Sequence, residues 1–338
     1  MGESHSRHRG RRRALKAGLI ALTTALVLAA AAAGVVAWRL EGYQADIDRI
    51  SDALPTDRSS AAADPGENWL LVGSDLRGEA TIGKWRRGES DADVIILLHM
   101  PEDSERAYAI SFPRDSWVDI PGHGEDKINE AYRQGGPRLL VRTVEQLSGV
   151  AVDHFAAVDF RGFERMVDAL GGVTLDLPHA IHDPTNGWSW PAGENHMDGE
   201  EALRFVRERK GLSGRDIDRV ERQQVFLNAM AEKAADSGLA SDPPRLDAFL
   251  RAVGRSMAVD DRVDGATLRA AALRLLDAGP ENTVYVTLAV TKSAWIGDQN
   301  VLLLDEPVND GLFAALEDDR LAAYIGKHDL ANDVERMD

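Results

Sequence analysis

Between Ala17 and Trp38 the chain carries no charged residue, and this run limits what the chain can fold into more than any other feature. As a helix it is long enough to cross a hydrocarbon layer of about 30 Å, where backbone amides must be satisfied within the segment itself. Arg7, Arg9, Arg11, Arg12, Arg13 and Lys16 precede it against Glu3 alone, and Glu41, Asp46 and Asp48 follow it. Basic residues stay on the cytoplasmic side of a span. Residues 1–16 therefore read as a cytoplasmic basic segment, 17–38 as a transmembrane helix, and the remainder as lying outside the cell membrane. A cleaved signal peptide, with Ala29 to Ala33 as its small-residue site, is the rival reading. It fits less well, because the run exceeds a typical signal core and Trp38 stands where an interfacial aromatic belongs.

The span divides a chain of very uneven charge. Lys and Arg number 39 against 56 Asp and Glu, for a net charge of −17; since the head is basic, the body is more acidic than the total. Broad nucleic-acid binding needs a basic surface and is excluded on this ground. The chain has no cysteine, which removes disulfides and thiolate metal sites. Its 338 residues, 44% of them hydrophobic, suit one large domain or two small ones. Residues 39–66 lose periodicity and collect Pro55, Ser59, Ser60 and Pro65, as a juxtamembrane spacer does. A single extracellular domain is expected over 67–330.

Three apolar runs open that domain, each with polar or charged residues at one end. Trp69 to Val72 exits into Gly73-Ser74-Asp75-Leu76-Arg77, Val94 to Leu98 starts at Asp93, and Ala107 to Phe112 exits into Pro113-Arg114-Asp115. Short apolar runs of this kind are buried strands, and open α/β sheets place ligands at strand ends. Helical patterns at 137–147 and 162–170 alternate with strands at 156–158 and 173–177, which predicts an α/β layered domain. Residues 183–197 read as a long loop, a lid or a rim, in which Trp188 and Trp190 either stack on sugar or seal the loop. Asp198 caps a helix that leads to Arg207 and Arg209, with Glu201 three residues on as in a capping box. Further helices are expected at 244–256, 266–276 and 310–324, with strands at 283–290 and 301–304.

The helix expected from Arg215 to about Asp236 has an unusual stripe. At about 100° per residue, Asp216, Arg219 and Gln223 fall in line with Val220, Leu227 and Met230. A stripe that is charged for two turns and then apolar points first into a polar pocket and then into a core. Together the strand and helix ends supply the carboxylates Asp75, Asp93 and Asp216 and the cations Arg77, Arg114, Lys127, Arg207, Arg209 and Arg219. Arginine forks suit phosphate oxygens, and a few Asp beside them suit Mg²⁺, so the set points to a diphosphate. No Walker loop, HExxH motif or GxSxG elbow occurs, which leaves the common nucleotide, zinc and serine-hydrolase chemistries without support.

At these residues the sequence resembles the LytR-CpsA-Psr family, membrane-anchored enzymes of bacterial envelopes. The matching segments are Gly73-Ser74-Asp75 with Arg77, Ala92-Asp93, Phe112-Pro113-Arg114-Asp115, Lys127-Ile128-Asn129-Glu130-Ala131-Tyr132, Ala202-Leu203 through Arg207 to Arg209, and Asp216 with Arg219, Arg222 and Gln223. The resemblance implies an α/β/α layered domain with a central mixed sheet behind one N-terminal transmembrane helix. It implies transfer of a glycopolymer phosphate from a polyprenyl-pyrophosphate-linked precursor to peptidoglycan, with the lipid in an apolar tunnel. By position, Asp75 and Asp93 would hold Mg²⁺; Arg77, Arg114, Lys127, Arg207, Arg209, Arg219, Arg222 and Gln223 would grip the diphosphate; and Asp75, Arg114, Asp216 and Arg219 would carry catalysis, with Asp75 or Asp216 as the base. The sequence departs at Asp91, where members often have Arg. Two other functions fit the same residues: a hydrolase of the lipid diphosphate, and a non-catalytic module that binds the lipid-linked glycan.

Overall fold

The computed structural model describes residues 47–56, 66–74, 88, 90–102, 105–208, 216–238 and 241–334, except the side chains of 216–218, 243 and 247. The expected cytoplasmic segment and transmembrane helix, most of the spacer, and Asp75, Arg77 and Arg209 lie outside these residues, as does the side chain of Asp216. Among the described residues no helix is long and apolar enough to cross a membrane. Those residues belong to one compact unit that begins at Asp46.

In chain order its elements are β1 (Asp48–Ile50), β2 (Gly66–Ser74), β3 (Ala92–Pro101), β4 (Ala107–Ser111), β5 (Trp117–Ile120), β6 (Gly124–Lys127), α1 (Ile128–Ser148), β7 (His154–Asp159), α2 (Phe160–Ala169), β8 (Val173–Leu177), β9 (Ile181–Asp183), β10 (Trp188–Trp190), β11 (Gly193–Met197), α3 (Gly199–Arg207), α4 (Asp216–Asp236), α5 (Pro243–Gly254), β12 (Met257–Asp260), α6 (Gly265–Ala278), β13 (Thr283–Thr287), β14 (Val290–Ile296), β15 (Gln299–Leu304), α7 (Glu306–Glu317) and α8 (Leu321–His328). Seven strands form one mixed sheet in the order β1-β12-β7-β2-β3-β4-β13. β2 pairs parallel with β7 and antiparallel with β3.

Alternation along β2 divides the core. Leu70 and Val72 face a layer that holds Tyr132 and Leu140 of α1 and Phe313 and Leu316 of α7. Trp69 faces the opposite layer, with Leu268 and Ala271 of α6, while Leu71 packs near Leu227 of α4. Successive strand side chains point to opposite faces, so a sheet covered on both sides follows from this pattern. The α/β/α layering and the central mixed sheet expected from the sequence are both present.

Several expectations are corrected. Part of the proposed spacer is structured: β1 pairs with β12 at the sheet edge, and Ile47, Ile50, Ala53 and Leu54 are core residues. β1 and β12 were both invisible to periodicity, because three or four residues are too few to establish one. Residues 183–197 are not an open loop; β9 pairs with β10, and β11 with β8. Trp190 is buried there, edge-on to Phe205 at 5.4 Å between ring centres, so it seals the structure and offers no face to sugar. The strand expected over 283–290 ends at Thr287, and β14 starts a separate hairpin with β15. The last helix is two, broken at Asp318 to Arg320, where Asp319 has a φ of 54°.

The helix expected from Pro137 begins earlier, at Ile128, and is kinked. Pro137 lies within it, and Gly136 takes φ 66° and ψ −158°. Proline lacks the N–H that would continue the ladder and clashes with the preceding turn, and glycine alone accepts the resulting backbone easily.

Candidate functional site

A cavity of about 620 Å³ lies between the α4 side of the sheet and helices α2, α3 and α4. Strand register shows how its walls change character. In one rung Leu71 pairs with Ile96 on β3 and Ala156 on β7, and these three side chains form an apolar wall. One rung further along β2, Gly73 pairs with Val94 and Val158, and a register shift follows before Ser74. Here the sheet opens, and Asp91, Asp93 and Arg114 enter the lining.

The helices repeat the gradient. Arg219 and Gln223 of α4 line the polar end, while Phe226, Leu227 and Met230 continue along the apolar one. Spacings of three and four residues keep these side chains on one helix face. Val220, placed on the same stripe by sequence, is buried but does not line the cavity. On α3, Leu203, Val206 and Arg207 share a face toward the cavity. The Arg207 guanidinium sits 4.2 Å from the centre of the Phe160 ring, a stacking that fixes its direction. Close packing of α3 on α2 depends on Gly199, since a Cβ there would lie 2.4 Å from the Glu164 carbonyl oxygen. Asp198 accepts from the Glu201 N–H, as its position before the helix predicts.

Behind Arg114 runs a line of alternating charges. Its Nη1 donates to Asp93 Oδ1 at 2.6 Å, its Nε lies 3.8 Å from Asp115, and Asp115 holds Lys127 Nζ at 2.9 Å. Lys127 is therefore one charge removed from the cavity and is not part of its lining. Arg222 also differs from expectation. It is buried, with its guanidinium 5.1 Å from the centre of the Phe205 ring, and it does not line the cavity. At 100° per residue, Arg222 projects about 60° from Arg219 and about 100° from Gln223, toward α3.

The motif at 127–132 is a strut. Tyr132 is fully buried near Ser74 at the end of β2; burial pushes its phenol well above the ordinary value, with the Ser74 hydroxyl opposing. Arg133 next to it binds Glu130 and lies 4.0 Å from Asp91. Position 91 thus brings a carboxylate to the cavity, and a cation stands beside it.

Of the sequence-derived residues, Asp93, Arg114, Arg207, Arg219 and Gln223 are brought together around one cavity. Sequence reasoning missed Asp159, Phe160, Phe163, Met166, Leu203, Val206 and Met257, which also line it. The three-residue spacing of Phe163 and Met166 on α2 was a usable signal, but nothing marked which side of the sheet that helix would cover. Among the described residues no group of three or more His, Cys, Asp or Glu is placed to hold a metal ion. Asp91, Asp93 and Asp159 are the described carboxylates on the cavity wall, and Asp93 binds Arg114.

A cleft with arginines and carboxylates at one end and apolar side chains along the other accommodates an anion joined to a hydrocarbon chain, the arginines meeting the anion. Comparison with known proteins agrees with that chemistry. The family model LytR_cpsA_psr matches residues 41–317. A probable cell wall biosynthesis protein, LcpB of Corynebacterium glutamicum, is 35% identical over 274 residues, 78% of this chain and 64% of the relative. TagU of Oceanobacillus iheyensis, named a polyisoprenyl-teichoic acid–peptidoglycan teichoic acid transferase, is 37% identical over 187 residues, 53% of this chain and 55% of the relative. The chain thus spans less than two thirds of either relative. The LytR-Csp2A-Psr enzyme from Actinomyces oris shares the fold, with a TM-score of 0.63 at 23% identity, covering 80% of this chain and 96% of that one. On the strength of the family match over most of its length, the chain belongs to the LytR-CpsA-Psr family.

Proposed function

We propose that this protein transfers a glycopolymer phosphate from a polyprenyl-pyrophosphate-linked precursor to a hydroxyl of peptidoglycan. The observation that carries the reading is the cavity's polarity, with Asp93, Arg114, Arg207 and Arg219 at one end and Leu71, Ile96, Leu227 and Met230 at the other. Arginine forks fit diphosphate oxygens and the apolar rungs fit the prenyl chain. In the reaction the acceptor oxygen bonds to the glycan-side phosphorus, the bond to the bridging oxygen breaks, and polyprenyl phosphate leaves with the electrons. The arginines stabilise the charge gathering on that leaving group. Asp75 or Asp216 accepts the hydroxyl proton.

Asp75 and Asp93 would hold Mg²⁺, which usually takes one or two carboxylates together with substrate phosphate. When bound, the ion adds positive charge beside the diphosphate. The name of TagU supports transfer to peptidoglycan, and that of LcpB supports a role in cell wall biosynthesis. The uncharged run at 17–38 supports a single-pass anchor in the cell membrane, with the catalytic domain extracellular.

The test is to incubate the protein with Mg²⁺, a labelled polyprenyl-diphosphate glycan and peptidoglycan. Label in peptidoglycan is the expected result. Free glycan phosphate would make the protein a hydrolase, and intact lipid retained on the protein would make it a binding module.

A further inference from the structure

The large hydrophobic side chains most exposed among the described residues stand together at the tip of the β14–β15 hairpin: Trp295 is 72% exposed and Ile296 37%. Trp295 pairs across the hairpin with Asn300, so the two share a face. Ser293, two residues back on β14, joins that face and donates to Asn300 Oδ1 at 2.6 Å. An indole flanked by a hydroxyl and an amide is the composition that receives a sugar, whose C–H face stacks on the ring while its hydroxyls bond to the polar groups.

The hairpin is attached to the segment that carries the site. The Leu302 N–H donates to the Asp115 carbonyl at 2.9 Å, and Gln299 Nε2 donates to Asp126 Oδ1 at 3.4 Å. Asp115 is adjacent to Arg114 and binds Lys127, itself next to Asp126. The platform is therefore fixed to the same strand exit that presents Arg114 to the cavity. A lipid surface suits it less well, since Asp298 occupies the turn and Lys292 is the sole cation of the hairpin; interfacial anchors gather several basic residues.

We infer that Trp295, with Ser293 and Asn300, forms a binding platform for an uncharged glycan, and that this platform positions the acceptor chain outside the cavity. The second clause rests on the proposed transfer; the first does not. The test uses the full chain in nanodiscs with N-acetylglucosamine tetramer as probe. Trp295→Ala should weaken tetramer binding on the order of tenfold, and Trp295→Phe should recover most of it. In the transfer assay the same variant should raise KM for the glycan acceptor and leave KM for the lipid-linked donor unchanged. Equal tetramer binding by wild type and Trp295→Ala, with both folded, overturns the platform. Tetramer binding lost while acceptor KM stays constant overturns only its role in positioning. If the wild type binds the tetramer through Trp295 but labels no peptidoglycan, the platform stands and the transfer reading fails. Nanodiscs carrying brominated lipid should quench wild type and Trp295→Phe alike; stronger quenching of the wild type would place Trp295 in the bilayer and overturn the inference.

Discussion

Two arginines three residues apart on α4 have different surroundings, and each predicts a different phenotype. Arg219 lines the cavity, whereas Arg222 is packed against Phe205. Arg219→Leu should lower transfer by about a hundredfold or more, the usual loss when one donor to developing charge is removed. Its melting temperature should hold or rise, because an apolar side chain then replaces a buried cation, whose desolvation is costly. Arg222→Ala should instead cost about 2 kcal/mol or more, through the cavity left between α3 and α4. Melting curves beside transfer rates check both, and an Arg219 variant that loses stability in step with activity would refute the pocket role of this residue. At the carboxylates, Asp93→Asn should raise the Mg²⁺ concentration needed for half-maximal transfer. Asp91→Asn should do so less, since the Asp91 side chain is 42% exposed against 20% for Asp93, and Asp93 sits against Arg114, the arginine proposed to meet the diphosphate. A Mg²⁺ titration that ranks the two variants the other way would transfer the metal role to Asp91.

Helix α4 depends on contacts that its sequence does not announce. Gln224, beside the cavity-lining Gln223, is fully buried and donates to Ser111 on β4 at 2.8 Å and to Thr287 on β13 at 3.2 Å; its own oxygen accepts from Asn332. It joins the helix to the sheet edge and to the C-terminal segment. Gln224→Leu should leave these partners short of bonds and cost about 1–3 kcal/mol, measured by urea unfolding, with little change in donor KM if α4 keeps its position. Leu227→Asp, three residues on, puts a charge on the apolar wall of the cavity. It should lower stability and affinity for the lipid-linked donor together. A variant that loses stability alone would show that the prenyl chain does not reach this turn.

Across the whole molecule the sheet has two dissimilar ends. At the end away from the cavity, Asp260 on β12 is almost fully buried. It accepts from the Phe155 N–H at 2.9 Å and the Arg262 N–H at 2.8 Å, and it lies 3.5 Å from His154, which also approaches Glu67. Burial pushes its carboxyl up, but the nearby His154 imidazole and the hydrogen bonds from the two amides outweigh that and hold it below the ordinary value. A carboxyl lowered by folding stabilises the protein fully above its unfolded value of about 4 and ceases to do so as pH falls through the folded one. Asp260→Asn should therefore be less stable than wild type at pH 7, with the gap narrowing below about pH 4. Unfolding at pH 7 and pH 3 measures it, and a gap that does not change with pH would mean that Asp260 acts through shape alone.

What the sequence determined by itself was local. Apolar runs bounded by charges marked β2, β3 and β4, caps and glycines marked the helices, and the spacing of Arg219, Gln223, Leu227 and Met230 marked a stripe of changing polarity, because period and capping act within a few turns of chain. Ordered motifs added the family. Only the tertiary structure decided which side of the sheet α2 and α3 cover, and hence that Phe163, Met166 and Met257 join the cavity wall. It alone decided that Lys127 stands behind Asp115 and that Arg222 turns to Phe205. It also recruited Asp48–Ile50 and Met257–Asp260 into the sheet. Each of these rests on partners tens to hundreds of residues away, so the free energy that orders them comes from long-range pairing and burial, which no local pattern encodes.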